Sequence, residues 1–324
     1  NTEDSRAHQT LVAVQTNTDI QDANTMANST EDFSFVNEER FRSFFTDAPE
    51  AVDNTLRVAE LCSVTLDLGK WRFPDYIIPP GETFESVLTK RAEESLTTYV
   101  QENPEYTDIA PGRMRYELDI ICRNGYAPYF LTVSDIYAAA KRLDVLTNTR
   151  GSAAGSFVSF LVGIGAVDPL KYKLPFERFL NPDRPSPPDI DMDFADTGRE
   201  KILDYVRSKY GEEKVAQIGT FGSMMARGAV RDVARALGHP YALGDRVSKL
   251  IPMGSQGFPM TIDRAMELEP ELKKMYETET EVREIIDLAK KLEGCARHIS
   301  VHAAGVVIAP TEITDFVPVQ LDPK

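Results

Sequence analysis

The sequence is poor in several things that would mark a protein class. It holds only three cysteines in 324 residues, Cys62, Cys122 and Cys295, odd in number and far apart. That argues against a disulfide framework and suits a reducing, cytoplasmic compartment. The longest near-apolar run, Phe157 to Val167, is too short to span a bilayer, so no membrane segment is expected. Asn1-Thr2-Glu3-Asp4 is polar and acidic, unlike a secretory leader. Internal repeats and low-complexity tracts are lacking. So is a basic surplus: the net charge is -15, which taken alone argues against a nucleic-acid partner. The charge is uneven, however. Residues 1–60 carry 4 Lys/Arg against 12 Asp/Glu, whereas residues 201–260 carry 9 against 5. A basic segment inside an acidic chain can still meet phosphates locally.

What is present is mostly helical pattern. Ser5 to Gln15 reads as a helix with no partner before it, like the tail of a domain. Residues 16–32 read as polar loop, and Asn37 to Thr46 and Glu50 to Cys62 as two helices, the second with Val52, Leu56, Ala59 and Leu61 at helical spacing. A domain boundary is expected near residue 72, where proline-rich connectors follow. Further helices are expected over Thr83 to Val100, Gly112 to Asn124 and Leu131 to Leu143, the last capped by Thr132 or Ser134 after an aromatic turn at Tyr126 to Phe130. A short strand is expected at Val145 to Thr147, an apolar helix at Phe157 to Ile164, and another helix at Ile202 to Lys209. Val215 to Thr220 and Ala304 to Pro310 read as strands. Residues 223–293 read as largely helical, with breaks at 238–240 and 252–259.

The stretch with the strongest chemical pattern is Pro187-Pro188-Asp189-Ile190-Asp191-Met192-Asp193-Phe194. In an extended strand alternate side chains share a face. Asp189, Asp191 and Asp193 would then line one face, and Ile190, Met192 and Phe194 the other. Neighbouring carboxylates repel unless a cation neutralises them, so a hard divalent metal with oxygen ligands is the functional reading. A plain exposed strand face is the structural one. An EF-hand also has Asp at these spacings and Glu200 at the twelfth position, but Phe194 stands where that loop needs glycine.

Three further patterns stand nearby. Arg150-Gly151-Ser152-Ala153-Ala154-Gly155-Ser156 opens an apolar helix. It offers close backbone approach, free N–H groups, the hydroxyls of Ser152 and Ser156 and the charge of Arg150 to an anion. A small-residue turn entering a buried helix is the alternative. In Phe176-Glu177-Arg178-Phe179-Leu180-Asn181-Pro182-Asp183-Arg184, aromatic residues bracket Arg178, which should hold its guanidinium for a phosphate. It could equally pair with Glu177 or Asp183. Cys295, His298 and His302 have a zinc-like spacing without a fourth ligand, and a helix-to-strand turn is the plainer reading. A loop for phosphate, an arginine and a carboxylate strand within residues 150–193 make the parts of metal-assisted phosphoryl or nucleotidyl transfer.

These segments resemble the palm motifs of the bacterial DNA polymerase III alpha subunits, the C family of replicative polymerases. Thr220-Phe221-Gly222, Val230-Arg231-Asp232-Val233, Leu237-Gly238-His239-Pro240 and His302-Ala303-Ala304-Gly305-Val306-Val307 are similar to that family too, in the same order. The resemblance covers essentially the whole chain. It implies an α+β fold: a polymerase-beta-like nucleotidyltransferase palm with an inserted helical thumb. Residues 1–72 would end a PHP domain, 73–220 and 300–324 would be palm, and 221–299 thumb.

By the same resemblance, Asp189 and Asp191 are catalytic ligands for two Mg2+ ions. Gly151, Ser152 and Arg178 meet the incoming triphosphate, and Arg150 and Asp193 support them. Arg227, Arg231, Arg235, Arg246 and Lys249 are candidates for gripping duplex DNA by its backbone. The implied substrates are primer-template DNA and dNTP, and a sliding clamp and other replicase subunits would bind regions outside this chain. Thr149 stands where the family usually has glycine. A third catalytic aspartate and the fingers would lie beyond Lys324, so this piece alone is expected to be inactive. Rival expectations are a metal-dependent phosphohydrolase or nuclease, and a non-catalytic binding fragment.

Overall fold

The computed structural model describes residues 2–20, 34–66, 68–69, 71–182, 188–255 and 258–322. Residues 21–32 of the expected loop, and Asp183, Arg184 and Pro187, lie outside them. The helices are α1 (Ser5–Thr16), α2 (Glu38–Phe44), α3 (Pro49–Leu61), α4 (Phe84–Glu102), α5 (Ala110–Arg123), α6 (Ala127–Arg142) and α7 (Phe157–Leu161). They continue as α8 (Arg199–Tyr210), α9 (Ala226–Ala236), α10 (Tyr241–Leu250), α11 (Ile262–Leu268), α12 (Pro270–Thr278) and α13 (Thr280–Leu292). The strands are β1 (Thr147–Thr149), β2 (Met192–Phe194), β3 (Val215–Ser223) and β4 (Ala296–Ile308), paired as two small sheets, β1·β2 and β3·β4. The class is α+β. No helix among the described residues is long and apolar enough to cross a membrane.

The chain divides into two compact units, one of residues 1–68, 219–303 and 322–324, the other of 69–218 and 304–321. In the first, α9 is the central element. Its alanines and valines (Ala226, Ala229, Val230, Val233, Ala234, Ala236) are buried, because small and β-branched residues recur at helical spacing. Arg227, Arg231 and Arg235 recur every fourth residue and share another face. Ala7, Ala13 and Val14 of α1 sit in the same core as Val230 and Val233 of α9 and Ile285 and Ile286 of α13. The partners of α1 thus follow it in sequence: its apolar face closes on the later helices α9 and α13. The helical spacing in α3 does not produce a buried face. Only Val52 is buried, while Leu56 and Leu61 are 68% and 78% exposed.

The second unit packs α4 to α7 around Phe130, Phe157 and Phe176. Helix α4 starts at the expected Thr83, whose hydroxyl accepts from the Ser86 amide while Ser86 returns a bond to the Thr83 amide. Helix α6 begins earlier than expected. Pro128 sits in its first turn, where the missing N–H costs nothing. The aromatic turn is therefore helix. Thr132 and Ser134 are not caps but interior residues, whose hydroxyls donate to Pro128 O (2.8 Å) and Val162 O (2.6 Å). A smaller cluster, including Ile136, Val145, Ile202, Val206 and Val215, joins α6 to α8. Val145 is turned into it, which displaces β1 two residues beyond the expected strand.

Strand β3 covers its expectation and runs on to Ser223. Strand β4 starts eight residues before expected. Met224 N donates to Cys295 O and Ala309 N to Lys214 O, which closes the ribbon at both ends in antiparallel sense.

Within the first unit, Gly244 of α10 lies so close to α9 that a β-carbon there would stand 2.9 Å from Ala234 Cβ. Helix propensity alone says Gly244→Ala stabilises by about 1 kcal/mol. Overpacking costs about 1–3 kcal/mol and should prevail. Chemical denaturation of the variant should show a net loss of stability; a gain would mean that the two helices are not tightly seated.

Candidate active site

The acidic strand is built as expected in part. Ile190 is buried in the core of α4 to α7, and Phe194 packs on the smaller cluster, 6.0 Å from the ring of Tyr137. These two anchors fix the segment at both ends. Met192 between them is 37% exposed, so the apolar face is not continuous. Regular strand covers only Met192–Phe194, and Asp189 precedes it. The pair β1·β2 is antiparallel with Thr149 opposite Met192. Arg150, the next residue, therefore emerges beside Asp191.

That register sets the electrostatics. Arg150 Nε lies 2.9 Å from Asp193 Oδ2, and its Nη2 lies 3.8 Å from Asp191 Oδ1. Asp191 and Asp193 thus converge on one positive charge. Gly151 follows with φ 75° and ψ -159°, a region essentially restricted to glycine. A β-carbon at Gly151 would lie 3.4 Å from Asp191 Oδ2, so any side chain there would meet the carboxylate. Asp189 is exposed and makes no hydrogen bond or ion pair among the described residues. No three His, Cys, Asp or Glu side chains among the described residues form a ready metal cage. The donor set nonetheless suits a hard cation: carboxylate oxygens, open to solvent, with a guanidinium standing where counter-charge is needed.

The small-residue loop has two halves with different roles. Arg150, Gly151 and Ser152 are exposed; Ala153, Gly155 and Ser156 are buried. The expectation that the start of α7 offers free donors to an anion is corrected, because a resident anion already occupies it. Glu117 of α5 is fully buried and accepts from Ser156 Oγ (2.8 Å), Phe157 N (2.9 Å) and Val158 N (2.9 Å). Arg113, one turn earlier, donates to the same carboxylate from Nε at 2.5 Å. Every neighbour donates, so the arrangement fits the ionised form. Burial pushes the Glu117 carboxyl up, against the pull of the two amides and of Arg113. Removing one partner of such a pair typically costs about 3–5 kcal/mol. Thr149, in the position the resemblance gives to glycine, accepts from Ala166 N at 3.1 Å and ties the end of β1 to the turn after α7.

Arg178 is placed differently from the expectation. It ends a 3₁₀ turn, Phe176–Arg178, with three residues per turn. Phe176 and Phe179 therefore share the inward face, edge to face at 6.2 Å, and Arg178 points out. It is exposed and makes no hydrogen bond or ion pair among the described residues. The aromatic residues hold the turn, not the guanidinium. Glu177 pairs with Tyr116, whose hydroxyl donates at 2.9 Å.

Two tyrosines escaped the sequence reading. Tyr129 and Tyr137 lie eight residues apart on α6 and both face the acidic strand. The Tyr129 hydroxyl accepts from Ile190 N at 3.3 Å, and the Tyr137 hydroxyl donates to Asn148 O at 3.5 Å. Burial, then the charges of Asp193 and Asp191, push Tyr137 up to about 12. Burial likewise raises Tyr129, with Asp189 and Asp191 adding to it against the Ile190 amide. Both remain neutral hydroxyls at ordinary pH. Their spacing of two helical turns was the available signal.

In the other unit, four of the five basic candidates bind across to neighbouring elements, and Lys249 pairs within its own helix, α10. Arg227 Nε donates to Ile251 O (2.6 Å), and Arg231 to Ser248 Oγ (2.8 Å) and Asp245 (3.3 Å). Arg235 reaches Val14 O and Thr18 O, at the end of α1. Arg246 pairs with Glu279 and Lys249 with Asp245, at 2.5 and 2.7 Å.

Comparison with known proteins identifies the family. Residues 85–324 match the family described as the bacterial DNA polymerase III alpha NTPase domain. The chain is 41% identical over 335 residues to the DNA polymerase III subunit alpha of Haemophilus influenzae, covering 99% of this chain. It is 40% identical over 332 residues to the subunit of Escherichia coli strain K12, covering 98%. In both cases it spans 28% of the relative's length. The chain belongs to the bacterial DNA polymerase III alpha family.

Proposed function

We propose that this chain supplies the metal- and nucleotide-binding floor of a DNA-directed DNA polymerase, a polymerase-beta-like palm with an inserted helical thumb. The observation that carries the reading is the meeting of Arg150 and Gly151 with Asp191 and Asp193. A loop able to approach phosphates is in contact with carboxylates able to hold cations. The reaction is attack of a primer 3'-hydroxyl on the α-phosphate of a dNTP, with pyrophosphate leaving. Two magnesium ions, when bound, would stabilise charge on the attacking and leaving oxygens.

Asp189 and Asp191 would hold those ions, and Arg150 restrains Asp193 as a supporting carboxylate. Ser152 presents an exposed hydroxyl at the head of its turn, and Gly151 an unobstructed backbone. The Arg178 guanidinium, exposed and without a partner among the described residues, is available for a phosphate, which it can meet with two parallel bonds.

Residues 221–299, within the first unit, would act as the thumb, gripping the DNA backbone. A guanidinium has five donors, and Arg227, Arg231 and Arg235 use only some of them on the protein. Arg246 and Lys249 sit in exposed ion pairs worth about 0–1 kcal/mol, which phosphates can displace at little cost. A sliding clamp and further replicase subunits would engage the rest of the full-length protein.

Primer extension by that full-length protein tests the reading. Asp191→Asn should lower kcat by at least roughly 10²–10³, as expected when a preorganised charge at the reacting phosphate is lost. Extension at the wild-type rate would contradict a catalytic role for the strand. Gly151→Ala should weaken dNTP binding while leaving DNA binding intact, because alanine strains a backbone conformation that only glycine adopts readily and brings a methyl into contact with Asp191. An unchanged dNTP KM would remove Gly151 from the nucleotide site.

A further inference from the structure

The buried pair of α5 lies outside the phosphate contacts just described, yet it touches both segments that carry them. We propose that Arg113 and Glu117 are positioning residues: they fix the Gly151–Ser152 loop relative to the Arg178 turn, and so set how the triphosphate is held. The proposal rests on the polymerase reading and deepens it.

Arg113, Tyr116 and Glu117 are spaced i, i+3 and i+4, so they share one face of α5. Glu117 takes the hydroxyl of Ser156 and the amides of Phe157 and Val158. Arg113 reaches the other way, donating from Nη2 to Gly155 O at 2.8 Å and to Leu174 O at 3.1 Å. Tyr116 adds its bond to Glu177. One helix face therefore grips residues 155–158 and 174–177 together. The two segments are also pressed against each other: a β-carbon on Gly155 would stand 2.7 Å from Pro175 O. The exposed ends of the same two segments are Gly151–Ser152 and Arg178.

Capping alone does not account for the pair. Ser156 already caps α7, its hydroxyl accepting from Ser159 N at 3.1 Å. Stability alone does not account for it either, since apolar residues of similar volume commonly stabilise a core as well as a buried ion pair does. What directional bonds add is a fixed relation between the segments they join.

The test uses the full-length polymerase with a primer-template DNA and the four dNTPs. Glu117→Gln should lower kcat/KM for dNTP by about tenfold or more, the scale of loss from a small misplacement of reacting groups. KM for the primer-template should stay within about twofold of wild type. Leu88→Ala, in the same core but off the network, should lower the melting temperature without this split. Arg113→Lys serves if Glu117→Gln does not fold. It keeps a charge for Glu117 but loses the fork that reaches Gly155 and Leu174, and should give the same split. Wild-type kcat/KM for dNTP in the folded variants, or an equal loss for DNA and dNTP, would overturn the proposal. Asp191→Asn, run in parallel, separates the two failures: if it extends primers normally, the polymerase site itself is misassigned, whatever Glu117 does.

Discussion

Four donors converge on the Glu117 carboxylate, inside a core whose largest buried side chains are Phe130, Phe157 and Phe176. A charge in that setting is tolerable only with every donor in place, because the desolvation cost is several kcal/mol. The requirement is strict, and it orders the surroundings. The start of α7 has to face α5, the Gly155 carbonyl has to meet Arg113, and the chain at Leu174 has to lie beside both. The loop that follows β1 then has one course open to it. Its buried half is held, and its exposed half, Arg150 to Ser152, is delivered to the edge of the acidic strand.

At that edge the forces differ in kind. Arg150, Asp191 and Asp193 are all partly solvated, at 61%, 46% and 37% side-chain exposure. Water and salt screen such contacts, so they contribute little to stability. They offset repulsion between carboxylates whose positions are set elsewhere, by Ile190 and Phe194 on their apolar anchors and by Tyr129 at the Ile190 amide. A rigid frame with weakly held charges at its surface is the arrangement a binding site needs: the geometry persists while the counter-ions exchange. Such charges are readily given over to a ligand.

Elements governed by local pattern were legible in the sequence. Amphipathic spacing located the helices, and the Asp189–Asp193 alternation and the Arg150–Ser156 loop marked the candidate site, because period and residue type are local properties. The misses came from partners remote in sequence. Glu117 went unnoticed on the helix expected over Gly112 to Asn124, since three of its four donors lie 39 to 41 residues later. The helix-opening loop therefore appeared to have free amides that are in fact taken. Arg178 looked clamped by Phe176 and Phe179, but three residues per turn sends the aromatics inward and the guanidinium out. Thr132 and Ser134 looked like caps because their preference for helix starts is real, yet Pro128 had already started α6. The apolar stripe of α3 was correctly seen as a stripe, and sequence spacing does not say what it faces.

Metal binding at the acidic strand tests the central claim most directly. Mn2+ bound in the presence of dATP can be counted by electron paramagnetic resonance on the full-length polymerase and on its Asp189→Asn, Asp191→Asn double variant. The expected result is loss of the dATP-dependent Mn2+ in the variant, with any other Mn2+ unchanged. Equal dATP-dependent Mn2+ binding by the two proteins would contradict the assignment of these carboxylates as the metal ligands.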